Sequence, residues 1–69
     1  MDIAKKIGNN LKLARKRKHL TQTDVAKKLL MTQQQYSRFE NGVFELNYDL
    51  ILTLCKMYDI TPNDLFELK

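Results

Sequence analysis

The sequence is poor in the residues that cross-link small proteins or hold metals: among 69 residues it has one cysteine, one histidine and no tryptophan. A single cysteine excludes an intramolecular disulfide, and no cluster of cysteine and histidine offers a metal site. The two glycines form no phosphate-cradling loop, and no nucleophile–base pair or paired carboxylates indicate an enzyme. We therefore expect no metal, no cofactor and no catalysis.

Long apolar runs are missing as well. No stretch approaches the roughly 20 residues that a membrane-spanning helix needs. The N-terminus has charges at Asp2, Lys5 and Lys6 and no apolar run, so we expect no signal peptide. Strand signals, repeats and linkers are also absent. We expect one cytoplasmic domain over residues 1–69, near the lower size limit for folding without a staple or a partner.

Positive charge is concentrated in the first part of the chain. Residues 1–28 carry nine Lys and Arg and two acidic residues, a net charge of +7, whereas residues 29–69 carry three and six, a net charge of −3. The run Arg15-Lys16-Arg17-Lys18 dominates this bias. A basic half favours contact with a phosphate backbone. A solvated helix end that complements the helix dipole explains the same run equally well.

Apolar periodicity and capping residues predict an all-α chain of five helices. The first runs from about Asp2 to Lys18, and the second and third lie between Leu20 and Gly42. Asn47 caps the fourth, and Thr61 followed by Pro62 opens the fifth. The predicted core positions fall at helical spacing: Ile3, Ile7, Leu11, Ala14, Ile51, Leu54, Cys55, Tyr58, Leu65 and Phe66.

The segment Leu20–Gly42, LTQTDVAKKLLMTQQQYSRFENG, predicts two short helices joined by a tight turn. Thr21 caps the first and Thr32 caps the second, which runs from Gln33 to about Asn41. The second helix has an apolar face, and its opposite face is polar. Glutamine can pair with adenine, and arginine with guanine, in the major groove of DNA. The inward face comprises Tyr36, Phe39 and Glu40, and the outward face Gln33, Gln34, Ser37 and Arg38.

This segment resembles the helix-turn-helix of the phage repressor and Cro family, the XRE-like bacterial transcriptional regulators. Ala26 stands where that motif needs a close approach between helices, and the ending Glu40-Asn41-Gly42 is typical of it. The resemblance extends over about residues 3 to 67. It implies a compact five-helix repressor-like domain that binds a palindromic operator in double-stranded DNA as a homodimer. The alternative is a helix-turn-helix-like protein-interaction module, such as an antitoxin subunit with a toxin as its main partner.

The resemblance also implies roles for individual residues, against which an ordinary polar helix surface is the plain alternative. The base-contacting residues are Gln33, Gln34 and Arg38. Arg15 and Glu40 would form a partly buried ion pair that supports the recognition helix. Gln22 would contact a phosphate and brace Gln33, whereas Asn41 would contact a phosphate or only cap its helix. The full set of implied phosphate contacts is Gln22, Thr32, Gln35, Ser37, Asn41, Lys16 and Lys18.

Two departures from the family pattern stand out. Leu30 and Asp59 occupy turn positions that usually hold glycine, so we expect the first turn to be tilted or shaped differently. The loop Val43–Leu46 lacks the basic residues of several relatives, and Glu45 would repel a phosphate.

Apolar residues beyond the predicted core suggest a dimer interface. Leu50 and Met57 lie beside the core stripe of the fourth helix, and Leu46 precedes that helix. Excess apolar surface on a small domain often marks an interface. The alternative is that these three residues cover the chain's own loop.

Overall fold

The computed structural model describes residues 2–67 of the protein. Within this range it is built from helices alone, which confirms the all-α prediction: α1 (Ile3–Arg17), α2 (Gln22–Lys28), α3 (Gln33–Glu40), α4 (Tyr48–Tyr58) and α5 (Pro62–Phe66). None of these helices is long and apolar enough to cross a membrane.

Side-chain caps define where the helices begin. Thr21, Thr32 and Thr61 each accept a hydrogen bond from a backbone N–H three residues on, and the side chain of that third residue accepts from the N–H of the threonine. These reciprocal pairs are capping boxes, which satisfy donors that the first helical turn leaves free. Asp2 and Asn47 cap α1 and α4 with single hydrogen bonds. The predicted starts at Thr21, Thr32, Asn47 and Thr61 are therefore confirmed.

The core lies where α1, α3, α4 and α5 meet, with α2 packed against α3. Tyr36 and Tyr58 are its largest fully buried side chains. Cys55 is buried, as predicted, and burial raises the pKa of its thiol. The buried apolar residues are Leu11, Ala14, Val25, Ala26, Tyr36, Leu54, Cys55, Tyr58 and Leu65.

Several predicted core or interface residues are less or more buried than predicted. Ile3 is 65% exposed, because it stands at the first turn of α1, beside an open groove of about 340 Å³ that is not filled by the loop after α3. Ile7, Ile51 and Phe66 are only partly buried. Leu46, Leu50 and Met57, predicted as excess surface, also pack partly against the chain's own core.

Glycine is required where α1 meets α3. A Cβ atom at Gly8 would lie 2.7 Å from the carbonyl oxygen of Phe39 and collide with that of Glu40. Real Cβ atoms do not approach backbone so closely, so a larger residue would push the two helices apart. Gly42 follows α3 with φ +75°, and its α-carbon faces the backbone of Lys5. Both glycines therefore bring the C-terminal end of α3 against α1.

The turn between α2 and α3 contains a left-handed leucine. Leu30 has φ +57°, so it adopts the left-handed conformation that glycine would adopt without strain. His19 and Asp59 are left-handed too, with φ values of +57° and +56°. Leucine in this region has an unfavourable contact between Cβ and backbone. Its side chain is 95% exposed, so no packing compensates.

Replacing Leu30 with glycine should therefore stabilise the protein, by about 1 kcal/mol, because the Cβ contact disappears and no buried area is lost. The free energy of unfolding in urea measures this effect. Leu30→Ala is the matched control: it removes the exposed side chain but keeps Cβ, and should change stability little. Equal stability of the glycine and alanine variants would show that the left-handed leucine carries no strain.

Candidate nucleic-acid interface

Helices α2 and α3 form a pair in which one side is packed and the other is open to solvent. Val25 and Ala26 of α2 are buried, as is Tyr36 of α3. The small side chain of Ala26, 2% exposed, permits the close approach of the two helices. On the opposite side of α3 the side chains of Gln34 and Arg38 are exposed. Gln33 is exposed as well, but it opens the helix on the flank of Glu40, seven residues further on. The three residues implied as base contacts are thus all exposed on one two-turn helix.

A buried ion pair joins α1 to α3. The Nε atom of Arg15 donates to Glu40 Oε2 at 2.7 Å, and Nη2 donates to Glu40 Oε1 at 3.2 Å. The remaining arm, Nη1, donates to the carbonyl oxygen of Leu20 at 2.9 Å, just before α2. Arg15 is 8% exposed and Glu40 5%. One guanidinium therefore holds α1, the entry to α2 and the end of α3 together.

Glu40 is also linked to the candidate reading side of α3 through Gln22. The Nε2 atom of Gln22 donates to Glu40 Oε1 at 3.0 Å. The Oε1 atom of Gln22 in turn accepts a hydrogen bond from Nε2 of Gln33. Gln22 therefore braces the first residue of α3, and a second N–H of its amide stays free for another acceptor.

The charge of Glu40 is stabilised within this network. Burial by itself would raise the pKa of the carboxyl, but hydrogen bonds from Arg15 and Gln22, together with the neighbouring Tyr36 hydroxyl, outweigh it and hold the pKa below its ordinary value. The hydrogen bond from Arg15 to Glu40 likewise raises the pKa of the guanidinium. The Tyr36 and Tyr58 hydroxyls are hydrogen-bonded to each other, and burial raises the pKa of Tyr58 to about 12. The pair is thus charged and the tyrosines are neutral at pH 7.

Arg38 is held by a residue to which the sequence assigned no function. Its guanidinium carbon lies 5.5 Å from the ring centroid of Phe44, a cation–π contact. The same ring meets Phe39 edge-on, with centroids 5.5 Å apart. The backbone N–H groups of Val43 and Phe44 donate to the carbonyl oxygen of Arg38. A single aromatic residue in an irregular loop has no spacing that could have indicated this contact.

Several of the residues implied as phosphate contacts also make hydrogen bonds within α3. Thr32 and Gln35 form the capping box of α3, which leaves the threonine O–H and the glutamine NH₂ as donors. Asn41 donates to the Ser37 hydroxyl at 3.2 Å.

The two lysines implied as phosphate contacts differ in their surroundings. Lys16 is exposed. The Nζ atom of Lys18 lies 3.7 Å from Asp59 Oδ2, and the two side chains are 42% and 88% exposed. A phosphate would compete with this carboxylate for Lys18. In residues 2–67 no three His, Cys, Asp or Glu side chains are grouped as metal ligands.

Arg15→Ala should lower the free energy of unfolding by about 3 kcal/mol, because Glu40 would stay buried without its main partner. Arg17→Ala, on an exposed position of the same helix, is the control and should change stability by less than about 1 kcal/mol. Replacing Arg15 and Glu40 together should cost less than the sum of the single changes. Urea unfolding of the four proteins of the cycle gives the coupling energy.

The coupling energy between Arg15 and Glu40 should also depend on pH, and it should be lost in acid. The folded-state pKa of Glu40 lies below that of the unfolded chain. Its contribution to stability is therefore complete above the ordinary glutamate pKa of about 4.3, and is lost as pH falls through the lower, folded-state pKa. Additive effects in the cycle at pH 7 would contradict the buried pair.

Comparison with known proteins agrees with this geometry. A model of the Helix-turn-helix family matches residues 11–65, and this is a family of DNA-binding regulators. Antitoxin PezA of Streptococcus pneumoniae serotype 4 (strain ATCC BAA-334 / TIGR4) is 32% identical over 59 residues, which are 86% of this chain. The chain spans only 37% of the length of that relative. No solved structure matches. The chain therefore belongs to the helix-turn-helix family, as the resemblance predicted.

Proposed function

We propose that the protein is a sequence-specific regulator of transcription, a repressor, that inserts α3 into the major groove of double-stranded DNA. The observation that carries this proposal is the division of α3 into two sides. Tyr36 and Glu40 are buried on one side, Gln34 and Arg38 are exposed on the other, and Gln33 is exposed at the start of the helix. A helix anchored in this way can enter the groove without losing its contacts with the core.

The exposed side chains have the chemistry that reads base edges. A glutamine amide carries a donor and an acceptor and matches adenine, while an arginine guanidinium carries parallel donors and matches guanine. Two of the three are also restrained in the free protein: Gln33 by Gln22 and Arg38 by Phe44. Restrained side chains lose less conformational entropy on binding. These restraints favour Gln33 and Arg38 as readers over a merely solvated role.

General affinity would come from phosphate contacts. Gln22 retains one N–H for a phosphate oxygen, and Lys16 is exposed at the basic end of α1. The net charge of +7 in residues 1–28 attracts DNA by releasing condensed counterions. Glu45 in the loop after α3 opposes binding, since a carboxylate near the backbone repels phosphate. The remaining candidate phosphate contacts are Thr32, Gln35, Ser37, Asn41 and Lys18.

Gln33→Ala should relax the base preference at one position of each half-site and leave the salt dependence of affinity nearly unchanged. Lys16→Ala should weaken binding to all sites alike and make the salt slope shallower by about one contact. Selection from a randomised operator, repeated at several salt concentrations, measures both effects. Gln35→Ala is a matched glutamine control that should alter no base preference. If Gln33→Ala, Gln34→Ala and Arg38→Ala all keep the wild-type preference, α3 is not the reader.

We expect two copies to bind a palindromic operator, with recognition helices about 34–36 Å apart. The apolar side chains of α4 that the chain's own core leaves open are Tyr48, 87% exposed, and Leu52, 61% exposed. Both lie on one flank of α4, because they are four residues apart. This flank can pack against the same flank of a second copy across a two-fold axis. We therefore place Tyr48 and Leu52 in the dimer interface, instead of Leu50 and Met57.

Sedimentation of the protein with its selected operator should give two chains per site. Leu52→Glu should weaken operator binding about tenfold or more by placing a charge in the interface. Thr53→Glu, an exposed neighbour with the same charge change, should have a smaller effect. One chain per operator, together with a selected site that lacks two-fold symmetry, would contradict the dimer.

A second candidate function is that of a protein-interaction module, the antitoxin part of a two-protein pair. The similarity to an antitoxin favours it, as does the net charge of −3 in residues 29–69. DNA retention at low salt that falls steeply as salt is added supports the regulator. Failure to retain DNA at any salt, with a stoichiometric complex between this chain and the product of an adjacent gene, supports the second candidate.

A further inference from the structure

The ring of Phe44, in the loop that follows α3, lies against the charged end of Arg38. The guanidinium carbon of Arg38 is 5.5 Å from the ring centroid. Arg38 is exposed, and Phe44 is 40% exposed. None of the ion pairs within residues 2–67 includes Arg38. The ring therefore restrains a guanidinium that no carboxylate of this range holds.

The position of the ring is itself fixed. The chain turns back after α3 at Gly42, where φ is +75°. The N–H groups of Val43 and Phe44 then donate to the carbonyl oxygen of Arg38 at 2.8 Å and 3.2 Å. Phe39 meets the Phe44 ring edge-on, with centroids 5.5 Å apart, a favourable geometry for two aromatic rings. Backbone and side chain thus both place the ring beside Arg38.

An aromatic ring restrains a guanidinium without using its hydrogen-bond donors. Phenylalanine has no lone pair and attracts a cation through the negative face of its π system. A carboxylate partner would occupy donors instead, as Glu40 accepts two N–H groups of Arg15. The five N–H donors of Arg38 stay available. They include the parallel pair that matches N7 and O6 of guanine.

DNA offers Arg38 two kinds of acceptor. A phosphate oxygen adds affinity but carries no sequence information, whereas the edge of guanine does. An arginine side chain with free rotamers can turn to either. Against the ring, Arg38 has fewer conformations to lose when it pairs with a base.

We propose that Phe44 is a positioning residue for sequence recognition: its ring holds the Arg38 guanidinium for guanine. The loop after α3 then sets the strength of one base preference without contacting that base. This inference rests on the proposed function of α3 as the reader. Without the ring, the guanidinium divides between the base and nearby phosphates, and the preference for guanine falls.

The test compares the ratio of guanine to adenine at the position that Arg38→Ala identifies. Phe44→Leu removes the ring but keeps an apolar side chain in the groove that Phe44 lines. In a randomised-operator selection, the wild-type protein should prefer guanine there. Phe44→Leu should lower the ratio about threefold, the effect of one exposed cation–π contact. Phe44→Tyr keeps a ring and should keep the ratio.

Phe66→Leu is the matched control, because it makes the same replacement at another ring that lines the same groove. It should keep the wild-type ratios at every position. A structural loss caused by Phe44→Leu would weaken binding to all sites alike and leave the ratios intact. In the Arg38→Ala background, Phe44→Leu should change no ratio, since no guanidinium remains for the ring to hold. Should Phe44→Leu fail to fold by circular dichroism, Phe44→Met takes its place.

The outcomes separate this inference from the proposed function. A wild-type protein that selects no sequence overturns both. If Gln33→Ala or Gln34→Ala relaxes a position but Arg38→Ala relaxes none, the inference alone is overturned. The same holds if Phe44→Leu keeps the wild-type ratio, or if Phe44→Tyr lowers it as far as Phe44→Leu does. A ratio that Phe44→Leu still changes in the Arg38→Ala background shows a direct contact of Phe44 with DNA and also overturns the inference.

Discussion

The buried carboxylate of Glu40 is the constraint on which the rest of the structure depends. A charge of this kind is costly to bury unless hydrogen bonds replace its water. Arg15 supplies two of those bonds, and Gln22 supplies a third. Since these donors come from α1 and α2 and the acceptor from α3, satisfying one carboxylate fixes the relative positions of three helices. No buried side-chain nitrogen or oxygen is left without a partner in residues 2–67.

The ion pair acts together with a close contact between the backbones of α1 and α3. Gly8 lets α1 approach the carbonyl end of α3, and this approach brings Arg15, two turns further along α1, within reach of Glu40. At eight residues α3 is too short to be stable as an isolated helix. Its conformation therefore comes from the capping box at Thr32 and from burial of Tyr36 and Glu40 on its inner side.

Local signals in the sequence predicted the helices well, because the determinants are local. A threonine followed three residues later by Asp or Gln marks each capping box, and Pro62 marks the start of α5. Burial at the start of the chain was less predictable: Ile3 fits the helical period, yet it is exposed beside an open groove. The Arg38–Phe44 contact depends on the path of an irregular loop, which no periodicity describes. Leucine disfavours the left-handed conformation that Leu30 adopts. The surrounding turn, and not the residue's own preference, determines its backbone conformation.

The two sides of α3 are under different constraints. On the inner side Tyr36 and Glu40 are held by partners on other helices, so a change there disturbs the core before it alters any contact outside. On the outer side Gln34 has no partner among the described residues and can be replaced without disturbing the fold. Gln33 is intermediate, since its amide is hydrogen-bonded to Gln22 and through it to the core. If α3 reads DNA, a substitution at Gln34 changes only the reading surface, whereas a substitution at Gln33 also removes a hydrogen bond to Gln22.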